Sequence, residues 1–154
     1  MTYSVSPVGW VREGRSDPAD TDHWGEVVST IAIEDRFGDD CLVGLDGYSH
    51  IEVVFLFHLA TERDDYRETR RPRGRDDLPA VGVFCARGPR RPNRIGVTMC
   101  EIVSASGRLL QVRGLDAVVG TPVLDLKPVL REFLPARVEQ PRWADSLMRD
   151  YFKP

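Results

Sequence analysis

Residues 51–60 read IEVVFLFHLA. Its β-branched and aromatic side chains, interrupted only by Glu52 and His58, predict a strand at the centre of a sheet, buried on both faces. A central strand needs partners, and the flanking sequence supplies them. Upstream, residues 24–34 alternate, with Val27, Ser29, Ile31 and Ile33 on one face and Val28, Thr30 and Ala32 on the other, the period of a strand. Residues 3–11 form another strand, whose Pro7 marks an edge or a strand start. Residues 42–45 make a short strand between turns at 37–40 and 46–47. Downstream, strands are expected at 81–86, 95–104, 109–115 and 123–126. The second and third of these join through Ser106-Gly107, and the last is entered by the turn Gly120-Thr121-Pro122 and ends before Pro128. In residues 141–152, Trp143, Leu147 and Tyr151 sit at helical spacing behind Pro141. The sum is a mainly β chain: one domain, residues 1–154, folded as a single barrel of six or seven strands with a long charged loop and a short late helix. The alternating strand and helix of a doubly wound fold is missing, and so are GxGxxG and Walker-type loops.

The long loop, residues 61–79, has no apolar period, and loops of that length in a small domain usually carry function. Past the strand predicted at 81–86 comes a second, stiffer loop within residues 82–96, GVFCARGPRRPNRIG. Pro89 and Pro92 fix φ and remove backbone donors, so it cannot pair as a ladder. It carries Arg87, Arg90, Arg91 and Arg94. Four guanidiniums on one stiff loop repel each other unless an anion such as a carboxylate or phosphate sits among them.

Net charge is −3, which excludes a generic polyanion binder. The distribution is uneven: residues 63–94 hold ten arginines against five acids, a local +5 that leaves −8 for the rest. Such a patch suits a specific anionic partner, or else a solvated surface loop. No apolar run approaches a membrane span, and the first ten residues lack a signal-peptide pattern, so a cytoplasmic protein is expected. Cys41, Cys85 and Cys100 are odd in number and unpaired by spacing, which fits a reducing compartment and gives no metal site; Cys85 and Cys100 are expected as inert core thiols.

Two further groups could carry chemistry. Residues 115–128, LDAVVGTPVLDLKP, place Asp116 at a strand end and put Asp125 and Lys127 on one face of a strand, where they form either a surface ion pair or a clamp for a polar substrate group. His50 precedes the central strand and His58 closes it; each is either a ligand contact and proton shuttle or a histidine bonded to backbone.

Three segments together resemble the TrmO (YaeB, or TsaA-like) family: residues 49–58, SHIEVVFLFH; residues 82–96; and residues 115–128. The family's loop runs approximately G-x-F-A-T-R-S-P-x-R-P-N-P-I-G and its later motif approximately L-D-x-x-D-G-T-P-V-x-D-I-K-P-Y. The resemblance implies a dimeric single β-barrel that binds S-adenosyl-L-methionine outside any Rossmann frame and N-methylates threonylcarbamoyladenosine beside the tRNA anticodon. Carried over by position, it implies cofactor contacts from Trp24, Gly25 and Glu26, from His58 and Leu59, from Arg87 and Val97, and from Asp116, Ala117, Val118 and Val119. Arg90, Arg91, Asn93 and Lys127 would face the substrate, with Asp125 and His58 as candidate bases. The chain departs from the family pattern at Ala86, Gly88, Arg94, Val119 and Val129. Those departures motivate two alternatives: methylation of a small-molecule acceptor, or a non-catalytic protein that binds the cofactor.

Overall fold

The computed structural model describes every residue except Glu62 and Asp64. Among the described residues, six strands form a closed barrel: β1 (Gly9–Glu13), β2 (Val28–Ile33), β3 (His50–Leu56), β4 (Ile95–Ser106), β5 (Leu109–Arg113) and β6 (Pro122–Pro128). The ring runs β1-β2-β5-β4-β3-β6 and back to β1, every neighbour antiparallel. One α-helix, α1 (Arg142–Met148), follows. The mainly β barrel and its late helix match the expectation, at the lower of the two strand numbers.

Alternation sets the core. Val11, Ile31, Ile33, Ile51, Val53, Phe55, Cys100, Leu110, Val112 and Val123 point inward and are buried. Of the two faces read from the alternation, Ser29, Ile31 and Ile33 point inward; Val27 lies before the strand, which starts at Val28. β3 is central in pairing, hydrogen-bonded to β4 on one side and β6 on the other. It is not buried on both faces: Ile51, Val53 and Phe55 are buried while Glu52, Val54 and Leu56 are half-covered. A barrel wall has one inside, and no helix layer covers its outside.

Other departures share a physical cause. Residues 81–86 are not a strand. Val81 exchanges two backbone hydrogen bonds with Arg70, at 2.9 and 3.0 Å, and Val83–Cys85 is a turn of 3-10 helix. The ring is already closed, so no free edge remains for a seventh strand. Cys85 is therefore exposed rather than in the core, as is Cys41; Cys100 is buried as expected. Residues 42–45 form a turn leading into the 3-10 helix Leu45–Gly47. The first strand starts at Gly9, past Pro7, and closes the ring instead of lying at an edge. β6 includes Pro128, opposite Ile51.

Gly96 faces Phe55 in the β3–β4 register. Phe55 is 1 % exposed and its ring lies where a Cβ on Gly96 would be, 2.5 Å from the nearest ring carbon. The closing glycine of the loop motif is thus the floor on which the core aromatic lies.

Two outcomes are expected. Gly96→Ala should lose about 1–3 kcal/mol in urea unfolding, because the buried ring must leave its rotamer. With a thiol reagent, Cys41 and Cys85 should react in the native protein. Cys100, pushed up to about 12 by burial and then by Asp116, should react only on unfolding.

Candidate functional site at one mouth of the barrel

The register brings distant segments to one end. Leu56 pairs with Ile95, Phe55 with Val123, Trp10 with Pro122 and Val28 with Arg113. The residues after β3, after β5, and just before β2 and β6 therefore share a mouth with the start of β4. These are the positions of His58, Asp116 to Val119, Trp24 to Glu26, Thr121 and Val97.

Asp116 is the polar centre. It accepts from Thr98 Oγ1 at one carboxylate oxygen and from Tyr151 Oη at the other, the latter at 2.5 Å. Hydroxyl donors to an ionised carboxylate make strong hydrogen bonds. Trp24 is 4 % exposed, with the Arg15 guanidinium 4.1 Å from its ring centroid. Its indole Nε1 is buried with no acceptor, an arrangement that costs stability until a partner supplies one. Gly25 lies under the Phe152 carbonyl, leaving no room for a Cβ. Beside it opens a cleft of about 290 Å³ lined by Gly25, His50, Met99, Glu101, Arg113 and Phe152.

Arg87 donates to the Val97 carbonyl at 2.5 Å and lies close enough to Tyr151 to affect its ionisation. Two positions expected to contact a cofactor, one inside the 82–96 motif and one just past it, thus meet. The loop's shape is held by its own arginines: Arg91 donates to Ala86 O and Arg94 to Ala60 O, both at 3.0 Å. Asn93 and Arg94 have φ of 60° and 50°, the left-handed region that asparagine tolerates better than most residues. Arg90 is exposed and makes no hydrogen bond or ion pair among the described residues.

His58 lies against the turn before β6, with Thr121 Oγ1 3.4 Å from Nδ1 and Gly120 packed by Nε2. Gly120, at φ 88°, makes the left-handed turn that brings this segment over the ring. Burial lowers the imidazole below its ordinary value, partly offset by a backbone bond to Leu56. His58 is therefore mostly neutral near pH 7 and able to accept a proton.

Not every expected residue joins. A bulge between Val54 and Phe55 turns Asp125 and Lys127 to the outer wall, where they pair at 2.5 Å, both substantially exposed. No hydrogen bond or ion pair ties Asp125 to His58 or Asp116 among the described residues. His50 bonds Ser49 at the end of β3 opposite His58 and lines the cleft beside Gly25. Leu59 and Val119 are exposed and Ala117 is core. Sequence reasoning missed Thr98 and Tyr151. Thr98 was legible as a hydroxyl on an inward parity; Tyr151 was assigned only as part of a helix stripe. Among the described residues no cluster of His, Cys, Asp or Glu could hold a metal, and no helix is long and apolar enough to cross a membrane.

The fold is a small closed barrel with a polar cluster at one mouth, built from loop backbone, one carboxylate and one guanidinium. The chain belongs to the tRNA-methyltransferase O N-terminal domain family, whose model matches residues 11–133. It is 40% identical over 131 residues to a protein of Methanothermobacter thermautotrophicus named "Probable S-adenosyl-L-methionine-binding protein", covering 83% of this chain and 90% of that one. It is 36% identical over 101 residues to the human tRNA (adenine(37)-N6)-methyltransferase, covering 65% of this chain but 22% of the human one. The crystal structure of TrmO from Pseudomonas aeruginosa superposes with a TM-score of 0.73 at 29% identity, over 90% of this chain and 61% of that one.

His58 gives the fold a pH dependence of known sign. Its folded pKa lies below the ordinary 6.5, so the unfolded chain binds more protons in the window between the two values. This contribution to stability is complete above the ordinary value and is lost as pH falls through the folded one. The melting temperature of the native protein should therefore drop more steeply than that of His58→Gln as pH is lowered from neutral through that window. The two curves should run parallel above it.

Proposed function

We propose that this protein is an S-adenosyl-L-methionine-dependent N-methyltransferase acting on adenine 37 of tRNA, with threonylcarbamoyladenosine as the acceptor nucleoside. The observation that carries this reading is the meeting of Arg87, Asp116 and Trp24-Gly25 at one barrel mouth, in a chain of this family.

The donor set suits the cofactor. Arg87 offers a guanidinium for a carboxylate, Asp116 a carboxylate for hydroxyls or an ammonium, and Trp24 a buried indole N–H without an acceptor. Glu26, Leu59, Val97 and the backbone of Ala117 to Val119 complete the wall. Bound there, the cofactor supplies an electrophilic methyl group. The chain's own task is then orientation: holding the acceptor nitrogen in line and excluding water can contribute on the order of 7–11 kcal/mol. A carbamoylated amine is a weak nucleophile and must shed its proton as the N–CH3 bond forms. Neutral His58 beside Thr121 takes that proton. Asp125 reaches an active site only across a subunit boundary.

That boundary fits a homodimer. The outward residues of β4, Ile95, Val97 and Met99, are 40, 36 and 43 % exposed, an apolar stripe beside the mouth that a second copy would cover. Arg90, Arg91 and Asn93 face the substrate: phosphate or the threonyl carboxylate. Action on tRNA places the protein in the cytoplasm.

Labelled S-adenosyl-L-methionine and host tRNA that lacks this modification should give methylated threonylcarbamoyladenosine by nucleoside mass spectrometry. The double variant Arg90→Ala, Arg91→Ala should weaken tRNA binding and flatten the slope of log affinity against log salt by about two. Cofactor binding without transfer to any tRNA would move the acceptor to a small molecule; cofactor binding with no acceptor at all would leave a binding protein.

A further inference from the structure

The segment after α1 returns to the mouth and is held there by hydrogen bonds and one close contact. His23 N donates to Asp150 O at 3.0 Å and Trp24 N to Tyr151 O at 2.8 Å. The Phe152 carbonyl lies on Gly25, where any side chain would overlap it. Tyr151 Oη donates to Asp116. Arg73 braces the segment from the long charged loop. Its guanidinium is 5.7 Å from the Tyr151 ring centroid and grips Asp22 through two nitrogens, at 3.1 and 2.9 Å.

Residues 150–152 thus tie the loop before β2 to the segment after β5, two of the stretches assigned to the cofactor. We propose that Tyr151 is a positioning residue of the cofactor site, acting through Asp116. This inference rests on the cofactor reading above.

The argument is one of preorganisation. A carboxylate beside an open mouth rotates about its last torsion and spreads its acceptors over many directions. Thr98 and Tyr151 donate to opposite oxygens and fix the plane, so the remaining lone pairs point one way before a ligand arrives. Each carboxylate oxygen still has acceptor capacity after taking one donor. Burial and then the neighbouring carboxylate push the Tyr151 phenol up from its ordinary value, so it remains a donor throughout the neutral range. The backbone bonds to His23 and Trp24 set the segment's position independently of the phenol. Removing only the hydroxyl should therefore release Asp116 and leave the segment docked.

The test uses the full chain, Tyr151→Phe, Asp116→Asn and the double variant, with S-adenosylhomocysteine titrated by calorimetry. Tyr151→Phe should weaken binding roughly ten-fold, the scale of a hydrogen bond to a charged group. Asp116→Asn should weaken it at least as much, and the double variant should be no weaker than Asp116→Asn alone. Amide exchange at His23 and Trp24, measured without ligand by NMR, should stay as slow in Tyr151→Phe as in the native chain. In the transfer assay KM for the methyl donor should rise while kcat holds. Equal or tighter binding by Tyr151→Phe would overturn the proposal and make the segment a competitor for the site. So would additive losses in the double variant, or fast exchange at the two amides. A native chain that binds neither S-adenosylhomocysteine nor S-adenosyl-L-methionine would instead bring down the functional reading, and the proposal with it.

Discussion

β6 is hydrogen-bonded to β3 along most of its length and to β1 through a short seam, Gly9 to Val123 and Trp10 to Pro122. That double pairing closes the ring. With it, no strand presents an open edge, and the inner residues of all six face one core. Closure of so small a barrel demands sharp curvature. The ladder yields at three places: Val11/Glu13 on β1, Val54/Phe55 against β6, and Ile102/Ser104 on β4. Each bulge adds a residue and reverses the parity beyond it. The bulge in the β3–β6 pair puts both Leu126 and Val123 toward the core and sends Asp125 and Lys127 outside.

Closure also decides where chemistry is possible. The interior is filled by Phe55, Ile31, Leu110 and their neighbours, so a ligand has access only to the mouths or the outer wall. At the mouth described, five chain segments end or begin within reach of one another. No helix layer is needed to build the site, because loops between antiparallel strands alternate ends and collect there. Thr98 belongs to the core by parity and to the site by its hydroxyl. It links Gly96 and Phe55, one step along β4, to Asp116, which its hydroxyl bonds.

Much of this was legible. Strand alternation in residues 24–34 and the apolar run from Ile51 predicted real staves, though the first of these begins only at Val28. The motif at residues 82–96 was read correctly as a stiff arginine loop, though its first half was taken for a strand. Val81, Val83 and Cys85 have the composition of a strand, and composition cannot report that both sides of β3 are already occupied. The same gap explains Asp125. Its spacing to Lys127 allowed a surface pair or a substrate clamp, and the pair forms; the side of the wall depends on a bulge that leaves no mark in a two-residue period. Tyr151 was missed for a different reason. Its spacing with Trp143 and Leu147 suggested a helix face, whereas α1 ends at Met148 and the tyrosine belongs to the turn beyond it. A residue's role at a distant site cannot be inferred from local periodicity.

The charge pattern gains meaning only once the fold is known. The surplus between residues 63 and 94 is +5, but it is not spread evenly. Arg67 pairs with Asp65, Arg70 with Glu68 and Arg75 with Asp77, each two residues away, and Arg73 with Asp22. Exposed pairs of this kind add little stability, yet each cancels a field locally. Arg87, Arg90 and Arg91 have no carboxylate partner among the described residues; Arg87 and Arg91 spend hydrogen bonds on carbonyls, which hold the guanidinium in place without neutralising it. Three guanidiniums of one stiff loop at the rim of the mouth thereby stay unneutralised, beside Arg63 and Arg71 of the long excursion, which also bond only carbonyls among the described residues. Within a Debye length of about 8–10 Å at physiological salt, an approaching polyanion meets that loop as a cationic site. The long excursion beside it carries more arginines, six against four, but most of them are paired with acids, and Arg73 braces Asp22 and Tyr151.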